Sequence, residues 1–231
     1  MRCAAPVFIP ILCSKEEMFV EYRTLRAAGE AEFTERRSRF IGRAAPVHTE
    51  EEALAFLREI RARCWDATHN VYAYVLRENG TARFSDDGEP QGTSGMPTLD
   101  VLQKSGVTDA IVVTTRYFGG ILLGAGGLVR AYSRAAHDAL AAAGIVQMRP
   151  CKTAVVRCDY AQYSTVARAL AQAEAAVDRT DFLQEVSIAF HLPPNRMPAL
   201  TQALADATAG RVAPETTGEA FFAADSGADE H

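Results

Sequence analysis

Two stretches of the sequence carry residues that could do chemistry. The first is a loop with five glycines, Gly119, Gly120, Gly124, Gly126 and Gly127. An apolar run, residues 110–113, leads into it, and a helical pattern, residues 128–143, leads out. Each glycine costs conformational entropy on folding, so such density implies backbone at positive φ or in close contact with something. Gly126 is expected to sit at positive φ, where a β-branched replacement would be strained. A strand that turns into a helix start concentrates free N–H groups and the positive end of the helix dipole. That arrangement suits an anion such as a phosphate. Arg116 before the loop and Arg130 after it match in charge. The same glycines equally serve tight turns and close helix–strand packing with no ligand. The loop lacks the Gly-Lys-Ser/Thr ending of a phosphate-binding P-loop and the acidic partner of a dinucleotide fingerprint.

The second stretch, residues 85–98, is turn chemistry throughout and holds Asp86, Asp87 and Glu89. These acids lack the alternating ligands of a calcium loop, so capping the following helix is the expected role. His69 has no legible nucleophile partner, and peptidase chemistry finds no support. Cys3, Cys13, Cys64, Cys151 and Cys158 are odd in number and contain no Cys-x-x-Cys pair, which points to free thiols in a reducing cytoplasm.

The elements that must position these residues are legible in part. Residues 22–27 and 30–35 read as a strand hairpin around Ala28-Gly29, and 40–47 as a third strand. Arg36, Arg37 and Arg39 between them read as a solvated edge. Thr49 and Glu52 form a capping box that opens an amphipathic helix over 49–64. Residues 65–70 form a polar turn, and 71–77 a strand. Asn79-Gly80 marks a turn, with 81–84 pairing back. A short helix over 97–104, a buried strand over 109–115 and the helix over 128–143 complete a first domain. Gly144 stops that last helix. Beyond a boundary near 145–151 come strand 153–159, helix 161–173, strands 175–180 and 182–192, helix 195–208 and strand 211–216. Their order, β-α-β-β-α-β, is that of a ferredoxin-like domain.

The chain has 231 residues and a net charge of −5, which excludes global attraction to nucleic acid or anionic membrane. Any RNA contact must come from a local patch. The acidic excess sits in residues 146–231, and nearly all positive charge is arginine. No apolar run reaches the length of a membrane span. Residues 4–13 are mildly apolar, but Pro6 and Pro10 interrupt them and no signal-peptidase site follows. The expected organisation is a loose extension over 1–17 with Met18 as the true translation start, a domain over 18–147, a second over 148–222 and a disordered tail over 223–231.

Three motifs resemble a known family. Arg116-Tyr117-Phe118-Gly119-Gly120, followed by Gly124-Ala125-Gly126-Gly127-Leu128-Val129-Arg130-Ala131-Tyr132, is similar to the signature of the IMPACT/YigZ family. Ser85-Asp86-Asp87-Gly88-Glu89-Pro90 with Gly92-Thr93-Ser94-Gly95-Met96-Pro97 resembles its second block, and His69 with Tyr72 a third. The resemblance implies an α+β protein of two domains. The first would be like the second domain of a small-subunit ribosomal protein; the ferredoxin-like second would be like a late domain of elongation factor EF-G. It implies a translational regulator in eukaryotic relatives, whose extra interaction domain has no counterpart in this sequence. For bacterial members it implies a nucleic-acid- or translation-linked role.

The expectation is a non-enzymatic, cytoplasmic, translation-linked protein that binds RNA, the ribosome or another phosphate-bearing ligand through the glycine loop. A protein partner of the translation machinery is the other partner class, with no membrane. The alternatives are a phosphate-handling enzyme, with Asp86, Asp87 and Glu89 on a metal and Arg116 on the phosphate, and a protein-interaction module. The candidate ligand-binding residues are Arg116, Tyr117, Gly119, Gly120, Gly124, Gly126, Gly127 and Arg130, with His69, Tyr72, Asp86, Asp87, Glu89, Gly92 and Thr93. No catalytic residue, metal or cofactor is assigned. Charge reversal at Arg130 or Arg116 is expected to leave folding intact, unless Arg116 is paired with a buried carboxylate.

Overall fold

The computed structural model describes residues 20–224. The extension expected over 1–17, and the tail from 225 on, lie outside the described residues. Two compact units divide the chain, Tyr22–Gln147 and the residues from Met148 onward. Each mixes helices with an antiparallel sheet, an α+β construction.

The first unit contains β1 (Tyr22–Leu25), β2 (Gly29–Glu35), β3 (Ser38–Pro46), α1 (Glu50–Arg63), β4 (His69–Val75), β5 (Ala82–Ser85), α2 (Gly95–Lys104), β6 (Ala110–Tyr117) and α3 (Ala125–Ala143). The sheet order is β2-β3-β6-β4-β5, with every neighbouring pair antiparallel. Helix α1 covers one face, where Leu57 and Ile60 pack with Tyr74, Ile111 and Val113. Helices α2 and α3 cover the other, where Leu99, Leu102, Ala136 and Leu140 pack with Ala44, Ala73, Ala110 and Val112. A central strand buried on both faces has no polar side to show, which is why 110–113 reads as an unbroken apolar run.

The expected capping box opens α1: Thr49 Oγ1 accepts the Glu52 N–H at 3.2 Å, while Glu52 Oε2 accepts the His48 N–H at 2.6 Å. The hairpin expected at Ala28-Gly29 does not form. β1 does not pair with β2; the chain leaves it with the Arg26 N–H donating to Gly144 O at 2.7 Å. Gly29 serves close approach instead, since a Cβ there would collide with the backbone of Ala143 in α3. The hairpin that does form joins β2 to β3 through Arg36 and Arg37, both left-handed at φ 45° and 65°. Asn-Gly is the usual signal for such a two-residue turn, so Arg-Arg conceals it.

The second unit holds most of β7 (Ile145–Cys158), then α4 (Tyr163–Gln172), β8 (Ala176–Phe182), β9 (Val186–Leu192), α5 (Met197–Thr208) and β10 (Glu215–Ala223). Its strands are ordered β10-β7-β9-β8. Val186, Ile188, Phe190 and Leu192 alternate into one core with Val166, Leu170, Leu200 and Leu204 of the two helices. Three boundaries differ from expectation. The strand expected over 153–159 is β7, which begins eight residues earlier, at Ile145. The strand expected over 182–192 begins at Val186. The last strand is β10 rather than 211–216: α5 ends on left-handed Ala209 and Gly210, and buried Val212 anchors the intervening loop.

Candidate functional site

Strand β6 ends at one end of the first sheet, and both sequence motifs gather there. Register places Arg116 between Phe40 of β3 and His69 of β4. Its side chain is only 6% exposed. Nη1 donates to Glu89 Oε1 at 2.5 Å and Nη2 to Ser38 Oγ at 3.3 Å. The same Glu89 oxygen accepts the Tyr132 hydroxyl at 2.8 Å and lies 3.9 Å from His69 Nε2. Burial, and then the charge of Glu89, push the Tyr132 phenol far up, so it remains a donor. The two motif blocks therefore do meet, but as an internal polar network. Arg116 is paired with a buried carboxylate, so its charge reversal is not benign.

The neighbouring acids have separate tasks. Asp86 Oδ1 accepts the Ser94 N–H at 3.1 Å, the Ser94 hydroxyl at 2.7 Å and the Gly95 N–H at 2.8 Å; Oδ2 accepts the Gly92 N–H at 2.9 Å. It caps α2 and closes its own loop, as the turn chemistry implied. Asp87, left-handed at φ 46°, accepts the Asn70 N–H at 2.7 Å and pairs with Arg61 at 2.5 Å. Its carbonyl lies 2.7 Å from His69 Nδ1. Thr93 is buried and donates to Pro90 O at 2.6 Å. Asp86, Asp87, Glu89 and Arg116, the set considered for metal and phosphate chemistry, are thus each engaged by protein groups. Among the described residues no cluster of three or more His, Cys, Asp or Glu is placed to hold a metal ion.

Burial raises the Asp86 carboxyl, but its hydrogen bonds from Gly92, Gly95 and Ser94 outweigh burial and hold it below its ordinary value. Its folded pKa is depressed, so its contribution is complete above the unfolded value of about 3.9 and fades as pH falls through the folded one. Asp86→Ala is expected to cost about 2 kcal/mol at pH 7. In urea denaturation the gap between variant and wild type should narrow at pH 3. A gap independent of pH would contradict this role.

Tyr72 and Tyr117 stand apart from this network, on the sheet face covered by α1. Tyr72 stacks on Tyr74 with centroids 6.2 Å apart. The Tyr117 hydroxyl donates to Asp66 Oδ1 at 3.3 Å; burial, then Cys64 and Asp66, push it up to about 12. They face away because strand residues alternate sides, and both differ in parity from their neighbours His69 and Arg116.

The glycine loop divides by function. A Cβ on Gly119 would collide with the Arg37 carbonyl, and its N–H donates to Ser38 Oγ at 3.2 Å, so the loop is seated on the Arg36-Arg37 turn. Gly120 and Gly124 take positive φ, 81° and 71°. Helix α3 begins at Ala125, earlier than expected, which places Gly126 and Gly127 in its first turn and not at positive φ. Gly124 caps α3 without a side chain, and the first intrahelical bond is Leu128 N–H to Gly124 O at 2.9 Å. The N–H groups of Ala125, Gly126 and Gly127 have no partner among the described residues, as expected at a helix start.

Beside this helix start lies a cleft of about 130 Å³, lined by Phe33, Glu35, Arg36, Leu123, Gly127, Arg130, Ala131 and Arg134. Arg36 Nη1 reaches Leu122 O at 3.4 Å. Arg134 lies 4.2 Å over the Phe33 ring and pairs with Asp138 at 3.3 Å. Among the described residues Arg36, Arg37 and Arg130 form no ion pair. Of the candidate residues, Gly127 and Arg130 line the cleft, and Gly119, Gly120, Gly124 and Gly126 lie in the adjoining loop and helix start. His69, Asp86, Asp87, Glu89, Gly92, Thr93 and Arg116 form the support. Phe33, Arg36 and Arg134 were not identified from sequence. The run Arg36-Arg37-Ser38-Arg39 was the available signal.

Residues 36–140 match the family described as Impact N-terminal domain, and residues 156–211 match a domain of unknown function, DUF1949. IMPACT family member YvyE of Bacillus subtilis (strain 168) is 35% identical over 195 residues, 84% of this chain and 90% of that protein. The chain belongs to the IMPACT family. IMPACT family member YigZ of Escherichia coli (strain K12) is 35% identical over 178 residues, 76% of this chain and 87% of its own length. Protein IMPACT of Oryctolagus cuniculus is 35% identical over 95 residues, 39% of this chain and 30% of that protein. A solved structure described as the crystal structure of a hypothetical protein is 32% identical, covers 84% of this chain and 96% of its own, and superposes with a TM-score of 0.55. The IMPACT match spans the buried network, the glycine loop and most of α3, and it begins at Arg36 of the cleft turn.

Proposed function

We propose that this IMPACT-family protein is a non-enzymatic, translation-linked RNA binder that holds an RNA phosphate in the cleft at the start of α3. The observation that carries the proposal is the placement of Arg36 and Arg130, both without a carboxylate partner among the described residues, on one cleft beside the free N–H groups that open α3. The two-residue hairpin turn requires left-handed backbone at Arg36 and Arg37, and it holds Arg36 on the cleft wall. The net charge of −5 makes this basic locus local, and Glu35 is the one acid on its wall. We read the first unit as similar to the second domain of a small-subunit ribosomal protein. The second unit, with its β-α-β-β-α-β order, reads as ferredoxin-like and similar to a late EF-G domain. A cytoplasmic setting follows from such a partner.

Charge reversal tests the reading. Arg130 is exposed on α3 and Arg36 on a turn, so Arg130→Glu and Arg36→Glu are each expected to change stability by less than about 0.5 kcal/mol. Anisotropy titration with labelled single-stranded RNA should show affinity reduced about tenfold or more for each. The slope of log affinity against log salt should become shallower by roughly 0.7 per lost phosphate contact. Unchanged RNA affinity in folded variants would refute the proposal and favour a protein partner docked on Leu122, which is 80% exposed at the loop tip.

A further inference from the structure

We infer that the RNA bound by this protein presents an unpaired base to Trp65, which stacks on it; the inference rests on the RNA-binding reading above. Trp65 is 83% exposed, unusual for so large an aromatic surface. The exposure does not come from a loose loop. Cys64 before it is buried, and the Ala67 N–H donates to Cys64 O at 3.1 Å. Thr68 N–H donates to Arg116 O at 2.9 Å, and Thr68 Oγ1 accepts the Phe118 N–H at 3.0 Å. Asp66 is held by the Tyr117 hydroxyl at 3.3 Å. The indole is therefore displayed outward from a turn pinned on both sides.

That turn is joined to the phosphate cleft. Phe118, bonded to Thr68 and 45% exposed, opens the glycine loop; Gly119 rests on the Arg37 backbone; Arg36 reaches Leu122 and lines the cleft. The route from Trp65 by way of Phe118 to Arg130 thus carries two exposed aromatic rings and the cations Arg37 and Arg36, which form no ion pair among the described residues, together with two carboxylates, Asp66 bonded by Tyr117 and Glu35 on the cleft wall. Exposed rings beside exposed cations complement a polymer of bases and phosphates. A duplex keeps its bases stacked inside and offers no ring face to a projecting indole, so the complementary ligand is single-stranded.

Trp65 is the sole tryptophan of the chain, so its fluorescence reports this turn alone. A short single-stranded RNA should quench it on titration, and the matching duplex should not. Trp65→Ala, at an exposed position, should fold normally and bind the single strand about tenfold or more weakly, with duplex binding unchanged. Trp65→Phe should restore most of the affinity. Wild-type affinity in Trp65→Ala, alongside weakened binding by Arg130→Glu, would overturn the stacking role and leave the phosphate cleft standing. Equal losses for single strand and duplex would overturn the single-strand preference. No RNA binding by the wild-type protein would overturn both readings.

Discussion

Arg116→Met should cost the first unit about 3–5 kcal/mol in urea denaturation, the largest loss expected at any motif position. The reason is the group left behind. Glu89 is buried with a side chain only 4% exposed, and its Oε1 would keep Tyr132 and the distant His69 but lose its one guanidinium. Truncating one partner of a buried pair strands a charge, whereas replacing both need not. The double variant Arg116→Met, Glu89→Leu should therefore recover part of the loss, although Tyr132 then surrenders its acceptor. A loss below about 1 kcal/mol for Arg116→Met would show that the network does not pin the end of the sheet. This outcome separates the two arginines that flank the glycine loop. Arg116 is buried support beneath the loop, whereas Arg130 is exposed on the cleft wall.

Gly119→Ala is expected to cost about 3 kcal/mol and to weaken RNA binding as well. A Cβ there would fall inside the contact distance of the Arg37 carbonyl, which is backbone and cannot rotate aside. The glycine loop or the Arg36-Arg37 turn must move, and either movement displaces Arg36 from the cleft. Gly126→Ala supplies the contrast. The nearest atom to its added Cβ would be Arg130 Nη1 at 3.8 Å, within the first turn of a helix. Alanine there should be neutral or stabilise by up to about 1 kcal/mol. Thermal melts and RNA titrations of the two variants side by side test the assignment. Equal behaviour would mean that close approach at Gly119 does not shape the site.

The two glycines also mark what was legible in sequence. Residue type announced that 119–127 was special, but not that Gly119 accommodates a carbonyl while Gly126 is an ordinary helical residue. The cap at Thr49 and Glu52, the stop at Gly144 and the alternation from Val186 to Leu192 depend on residues a few positions apart. Such patterns are set by the geometry of a single helix or strand, so the chain determines them locally. The motifs that place it in the IMPACT family are likewise contiguous.

Tertiary structure alone decided the rest. Glu89 and Arg116 lie 27 positions apart and pair because β6 and the loop before α2 end at the same edge. Phe33 and Arg36 face Arg130 and Arg134 because α3 lies across β2 and β3, where Gly42 leaves room against the backbone of Ala135. The Arg36-Arg37 turn adopts a left-handed form that its residue types disfavour, because pairing of β2 with β3 on both sides outweighs the local preference. Local pattern specifies elements; which side chains share a cleft depends on strand order and helix approach, which are set by packing among residues distant in the chain.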